Sequence, residues 1–483
     1  MSNLYLGIDL GTSSLKVSLA NLEGEILLSA KKNYPLIQLK PNWCEQDPNL
    51  WYQALLFCLD ELNKNFDLRN VKSLSFSGQM HGLVILDEND NVIRNAILWN
   101  DSRNIDEVNY LNNIIGKDKL INETSNIALC GFTAPKLLWL KKHEYFSFKR
   151  IKKIMLPKDY LAYKLTGNFA SDQSDLAGTL FFNVKEGKYS KFMLDLLDIK
   201  EEYLPKIYSS YEVVGNVKKE LEESTHLLSS TKVVIGGGDQ AVGGLGTNSL
   251  KEGELFLSLG TSGVVYAPCK NYHYDKLGRL HTFKDTNSNF FLMGCTLSFS
   301  GSLKWWIEDI LETKDYNLET NDLPDEISNV IFLPYLVGER SPINDPLAKG
   351  SFSNLNSFYK RKDLTKAVIE GCCFSLLDNY LVMEDLQMHF SKAKAIGGGA
   401  SEVVLQILAD ILGIKIDTIN TKDGAALGAI ILALVGDQQF NSLEQAADHF
   451  VKIKKTYIPN LEKHKKYLEK FKRYKQTYLD LKK

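Results

Sequence analysis

The chain has 483 residues, and its 57 Lys+Arg against 59 Asp+Glu leave a formal charge of −2, which removes any general electrostatic case for a nucleic-acid or membrane-surface protein. A composition of 44% hydrophobic, 24% charged and 11% aromatic residues is that of an ordinary globular protein, and the length predicts about two to four domains. Seven scattered cysteines without a CxxC pair, an opening Met1-Ser2-Asn3 with no signal-peptide pattern, and a longest weakly polar run of only Gly424 to Gly436 together predict a cytoplasmic protein with no membrane and no nucleic-acid partner.

In chain order, Leu4 to Asp9 reads as a strand, closed by Leu10-Gly11-Thr12-Ser13. Leu15 to Ala20, a turn at Asn21 to Gly24 and Glu25 to Ala30 follow, the pattern of a β-hairpin. Asp47-Pro48 starts a helix, with Asp as cap and Pro at the first helical position, and Trp51, Ala54, Cys58 and Leu62 recur at helical spacing. Strand character returns at Val71 to Ser77, Leu83 to Leu86 and Ala96 to Trp99, giving a mixed α/β order. The strand-like Glu254 to Ser258 ends in Leu259-Gly260-Thr261-Ser262, the same tetrapeptide as the first, and Val264 to Ala267 continues it. Ile235-Gly236-Gly237-Gly238 is echoed by Ile396-Gly397-Gly398-Gly399. Two echoes in one order predict a duplicated architecture with a boundary near residue 250, that is, domains 1–250 and 251–483. The tail from Lys452 to Lys483 carries 12 Lys+Arg and 3 Asp+Glu. Leu461, Leu468, Phe471, Tyr474, Tyr478 and Leu481 lie near one helical face, so a docked terminal helix, about 459–483, with solvated lysines is favoured over a nucleic-acid arm.

A Gly-Thr-Ser turn after a strand places backbone N–H groups and hydroxyls where they can surround a phosphate; the alternative for either copy alone is a tight hairpin turn with no ligand. There is no Walker or GxGxxG motif around these glycines. Asp9 stands in an apolar strand, where holding Mg²⁺, directly or through water, is its most economical role. Asp239 ends a strand beside three glycines, a position suited to accepting a hydroxyl proton during phosphoryl transfer, and equally suited to capping the helix that starts at Gln240. Met80-His81-Gly82 follows a strand end, where His81 reads either as a ligand contact or as a structural histidine.

With these segments in order, the chain resembles the FGGY family of carbohydrate kinases over essentially its whole length. Gly131-Phe132-Thr133-Ala134-Pro135-Lys136-Leu137-Leu138-Trp139-Leu140-Lys141-Lys142-His143 matches that family's first signature at each position compared. The resemblance implies two actin-like, ribonuclease-H-like domains closing on ATP and a sugar. It implies Asp239 as the catalytic base, Asp9 as the Mg²⁺-associated carboxylate, and Gly11, Thr12, Ser13, Gly260 and Thr261 as phosphate loops. Gly301 and Gly398-Gly399-Ala400-Ser401 then lie along the nucleotide. Met80-His81-Gly82 matches the substrate motif of family members that phosphorylate D-xylulose, and the strings Ile97 to Asp101, Leu156 to Leu161, Phe332 to Leu336 and Gly338-Glu339-Arg340 also resemble those members. Other ketoses or polyols (ribulose, gluconate, glycerol), a non-catalytic sugar sensor and an actin-like switch stay open, and so does the oligomeric state, a homodimer being one option. The second family signature falls between Gly350 and Glu370 with Asn354 where glycine is the rule, a substitution that a positive-φ turn tolerates. The loop after Ala400 is one residue shorter than in related kinases.

Overall fold

The computed structural model describes residues 3–421 and 423–482. Met1 and Ser2, read as free of a leader pattern, and Lys483, at the end of the expected tail helix, lie outside them.

The first half is built on strands β1 (Leu4–Leu10), β2 (Ser14–Ala20) and β3 (Ile26–Asn33), helix α1 (Pro48–Asn63) and strand β4 (Val71–Gly78). Helices α2 (Thr133–His143) and α3 (Pro157–Thr166), strands β5 (Val213–Asn216) and β6 (Lys232–Val234), and helix α4 (Asp239–Gly246) complete it. The second half has β7 (Glu254–Leu259), β8 (Gly263–Cys269), β9 (His281–Lys284), β10 (Phe290–Thr296), α5 (Ser300–Lys304), α6 (Arg361–Asp385), β11 (Lys392–Ile396) and α7 (Glu402–Leu412). Then come β12 (Lys415–Ile419), α8 (Gly424–Gly436), β13 (Ile453–Tyr457) and α9 (Leu461–Leu481). As expected, Asp47 caps α1 through its side chain, which accepts from Asn49 N, and Pro48 opens the helix.

The sheet orders are β5-β6-β4-β1-β2-β3 and β9-β10-β8-β7-β11-β12-β13. In each half a hairpin continues into a third antiparallel strand, while on the other side two parallel strands and an antiparallel edge strand follow. The Leu-Gly-Thr-Ser strings therefore occupy equivalent hairpin turns of a duplicated fold, and β9 is an addition to the second copy. The triglycine echo is different. Gly236 to Gly238 follow β6, whose counterpart is β12, whereas Gly397 to Gly399 follow β11, whose counterpart is β4. That repetition is local composition, not duplicated position. The true counterpart of Asp239, at the head of α4, is Asp423, which caps α8 by accepting from Ala426 N.

Helices α4 and α8 exchange partners across the molecule. Helix α8, from the second half, lies on the first sheet: a Cβ at Gly7 would stand 2.7 Å from Ala426 O, and Ser73 donates to Ala433 O at 2.7 Å. Reciprocally, α4 lies on the second sheet, where a Cβ at Gly244 would meet the Tyr266 ring at 2.8 Å. The two helices cross on glycine, since a Cβ at Gly246 would stand 1.8 Å from Gly424 O. No side chain fits there, so the crossing holds the halves together at a distance only glycine permits.

The tail forms α9, which buries Tyr467, Phe471, Tyr474 and Tyr478 against the second half. Two expectations are corrected. Leu461 and Leu481 are 60% and 59% exposed, lying beyond the seam that docks. Lys470 is not solvated: it is buried and pairs with Glu370 at 2.5 Å, which also accepts from Tyr467 Oη at 3.0 Å. A buried charge needs such a partner, and the large apolar face of the helix carries it inside. Among the described residues no helix is long and apolar enough to cross a membrane, and the seven cysteines are unpaired.

Candidate active site

The first Gly-Thr-Ser turn is braced from outside. Tyr34 Oη donates to Gly11 O at 2.5 Å, Gln46 Nε2 to Thr12 O at 2.6 Å, and Trp99 Nε1 to Thr12 Oγ1 at 2.9 Å. Because Thr12 Oγ1 already accepts, its own proton is left to donate. The second turn is braced by the start of α5: Ser300 Oγ donates to Gly260 O at 2.6 Å and Gly301 N to Thr261 O at 3.1 Å. The backbone N–H groups of Thr12, Ser13, Thr261 and Ser262 donate to nothing among the described residues. Two turns held through their carbonyls, with N–H groups left unpaired among the described residues, suit an anion.

Gly301 and Gly399 converge on the second turn: a Cβ at Gly301 would stand 3.1 Å from Thr261 O, and one at Gly399 3.0 Å from Leu259 O. Gly398 and Ala400 line a cavity of about 580 Å³ with Ser401, Thr418 to Thr421, Lys454, Lys455 and Tyr457. Ser401 itself caps α7, accepting from Val404 N at 3.4 Å, so the shortened loop ends directly in a helix. Asn354 has φ of 60°, the conformation expected for an asparagine in a glycine's place.

The head of α8 reaches both sheets. Asp9 on β1 lies opposite Lys16 on β2, and Lys16 Nζ pairs with Asp423 at 2.8 Å. The neighbouring Gly424 approaches Ile396, which precedes Gly397. Burial, then the negative charges of Asp423 and Asp239, push the Asp9 carboxyl up to about 7, with Ser77 and Lys16 opposing. Asp239 keeps an edge open to solvent but is otherwise enclosed, and burial pushes it up to about 6 against stabilising contacts from Gln240. It is the first residue of α4, with Gly238 as the cap position.

The loop before Asp239 is fixed by Gly236, whose φ of 73° and approach to Phe76 O, at 2.1 Å from a built Cβ, admit no side chain. Met80 packs on that loop, 2.9 Å from a Cβ built on Gly238. His81, buried with φ of 70°, is held by Thr133 Oγ1 and Lys136 Nζ, which donate to its carbonyl at 3.2 and 2.8 Å. The family signature on α2 thus clamps the substrate-motif histidine in a backbone conformation that a histidine rarely adopts. Its Nδ1 lies 2.7 Å from Gly178 O, and because a carbonyl only accepts, Nδ1 carries the proton and Nε2 is an acceptor. Burial and the Arg340 and Lys136 charges hold its pKa well below the usual value, keeping it neutral.

Other strings of the sequence prove to be scaffolding. Asp101 and Arg103 form a buried pair at 2.7 Å, with Cys44 N donating to Asp101 at 2.6 Å. Lys158 is fully buried between Asp159 at 2.6 Å, Asp172 at 2.9 Å and Asp175 at 3.7 Å. From there Asp172 accepts from Ser174 Oγ at 2.5 Å, and Ser174 Oγ accepts from Gly238 N at 3.1 Å, so this cluster reaches the residue before Asp239. Sequence reasoning missed Lys158, Asp423 and the cavity walls at 418–421 and 454–457, because each gains its place only through packing.

Two duplicated α/β domains with equivalent hairpin turns and crossed helices define an actin-like, ribonuclease-H-like phosphotransferase fold. The N-terminal domain of the FGGY family of carbohydrate kinases matches residues 4–246, and the C-terminal domain of that family matches residues 255–436. The chain belongs to the FGGY family of carbohydrate kinases, and that membership implies ATP as its phosphoryl donor. It is 36% identical over 478 residues to the xylulose kinase of Staphylococcus xylosus, covering 98% of this chain and 99% of that one. Among solved structures, the ligand-bound xylulose kinase of Lactobacillus acidophilus matches with a TM-score of 0.95 at 29% identity over 99% of this chain and 98% of that one. The gluconate kinase of the same organism also matches with a TM-score of 0.95, at 28% identity over 100% and 98%. Fold alone therefore does not choose the sugar.

Proposed function

We propose that this protein transfers the γ-phosphoryl group of ATP to the 5-hydroxyl of D-xylulose, giving D-xylulose 5-phosphate and ADP, and that it works in the cytoplasm, where its thiols stay reduced. The observation that carries this reading is the packing of Met80 on Gly238, which sets the substrate motif directly against Asp239. Asp239 accepts the proton of the 5-hydroxyl as its oxygen bonds to phosphorus and the bond from phosphorus to the ADP oxygen breaks. His81 Nε2 accepts from a second sugar hydroxyl, and Met80 forms an apolar wall. Thr12 and Thr261 with their adjacent N–H groups hold phosphate oxygens, and the cavity beside Gly398 to Ser401 takes the adenosine. The residue 250 boundary then separates a sugar-binding, base-carrying domain from a nucleotide-binding one.

Asp9, with Asp423 and Asp239 near it, offers hard oxygen ligands and an excess of negative charge, which fits Mg²⁺. Among the described residues no three His, Cys, Asp or Glu side chains converge on one point. That also fits Mg²⁺, which commonly keeps waters and substrate phosphates as ligands. When bound, the ion would neutralise charge on the phosphates.

A coupled assay for ADP with D-xylulose, D-ribulose, gluconate and glycerol tests the reading: D-xylulose is expected to have the highest kcat/KM, and a higher value for gluconate would move the assignment to that sugar acid. The pH profile is a second check. A base must be deprotonated to act, so kcat/KM for the sugar should fall about tenfold per unit as pH drops below about 6, the value of Asp239, and level off above it. A profile flat down to pH 4.5 would exclude Asp239 as the titrating base.

A further inference from the structure

Asp239, Met80 and His81 all belong to the first half of the chain. The second half brings two more polar side chains to the same place, around Phe132. The Phe132 ring lies 4.9 Å from the ring of His81 and 5.6 Å from that of His281, and Arg340 Cζ is 6.0 Å from its centre. His281 sits on β9, the strand that the second sheet has in addition to the duplicated pattern. His281 Nε2 and Arg340 Nε and Nη2 are enclosed, yet none of them has a hydrogen-bond partner among the described residues. Enclosed polar atoms are nearly always paired, so three without partners beside a substrate motif point to a ligand.

The turn that presents Arg340 is held firmly. Glu339 accepts from Thr296 Oγ1 at 2.5 Å, Leu297 N at 2.8 Å and Arg340 N at 2.7 Å, and Ser341 N donates to Cys295 O at 2.9 Å. The guanidinium is therefore placed by its backbone and not by an ion-pair partner, which is how a site is preorganised.

We propose that Arg340, with His281 beside it, binds the carbonyl end of the substrate, so that the second domain selects for a ketose. This rests on the D-xylulose reading above. Moving away from Asp239, the wall runs from Gly238 and Met80 to Gly178 and His81, then to Phe132, and ends at Arg340. With the 5-hydroxyl at Asp239, the far end of the five-carbon chain is the end that carries the C2 carbonyl. A carbonyl oxygen accepts two hydrogen bonds and donates none, which matches the guanidinium fork. A hydroxyl at the same carbon of an alditol brings a proton for which arginine has no acceptor.

The test compares Arg340→Met and Arg340→Lys with the wild type, measuring kcat/KM for D-xylulose, the inhibition constant of xylitol, ATP affinity without sugar, and Tm. Arg340→Met should lower kcat/KM for D-xylulose by roughly 10- to 100-fold, as expected for the loss of hydrogen bonds from a charged group, while xylitol inhibition and ATP affinity change little. Arg340→Lys keeps the charge without the fork and should recover only part of the ketose preference. The inference is overturned if Arg340→Met, with wild-type Tm, keeps its kcat/KM, or loses D-xylulose and xylitol equally. Should Arg340→Met fail to fold, an unchanged ketose preference in Arg340→Lys overturns it. A wild type that phosphorylates no ketose overturns the functional reading itself and this inference with it.

Discussion

Asp239→Asn should lower turnover with D-xylulose by about 10²- to 10⁴-fold, the usual contribution of a positioned general base. Asparagine keeps the shape of the side chain and loses only the ability to take a proton. The fold has little at stake, because burial works against the ionised form of Asp239 and outweighs the Gln240 contacts that favour it. The Tm should therefore match or slightly exceed that of the wild type, and ATP affinity measured without sugar should be unchanged. The acid limb of the pH profile should vanish with the activity. Near wild-type turnover in this variant would remove Asp239 from the chemistry.

Lys158→Met should have the largest effect on stability. Its ammonium is fully enclosed among Asp159, Asp172 and Asp175, and those carboxylates hold its pKa far up against the opposing effect of burial. Methionine has a similar volume, so the loss is electrostatic: three enclosed carboxyl groups keep their negative partners and lose their cation. Breaking a buried ion pair from one side costs about 3–5 kcal/mol. A clear drop in Tm is expected, smaller at low pH, where the carboxyl groups take up protons. Activity should fall further than the folded fraction does, since Asp172 and Ser174 connect this cluster to Gly238. An unchanged Tm at neutral pH would mean that the cluster already shares enough protons to need no lysine.

The asymmetry between these two residues follows from what a local stretch of chain can reveal. Asp239 stands out because a carboxylate after a strand and three glycines has two uses, as a proton acceptor or as a helix cap, and the family resemblance implies the first. Lys158 and Lys470 look like ordinary surface lysines, yet one lies at the centre of three carboxyl groups and the other sits under the tail helix. Besides its neighbour Asp159, Lys158 needs Asp172 and Asp175 from further along the chain, and Lys470 needs Glu370 from α6. Asp423 shows the same limit. Nothing around it marks it as the twin of Asp239, and the triglycine resemblance points to the wrong loop.

By itself the sequence determined the family, the two equivalent hairpins with their Gly-Thr-Ser turns, the Asp47 cap and the positive-φ turn at Asn354, because backbone rules and short-range side-chain chemistry act within a few residues. Only the tertiary structure decided how the halves meet: α4 and α8 cross where glycine alone fits, α8 brings Asp423 to Lys16 beside Asp9, and β9 and the Arg340 turn close around Phe132. Such placements depend on long-range close packing, where one missing Cβ or one distant carboxylate sets the geometry, and no local pattern encodes that.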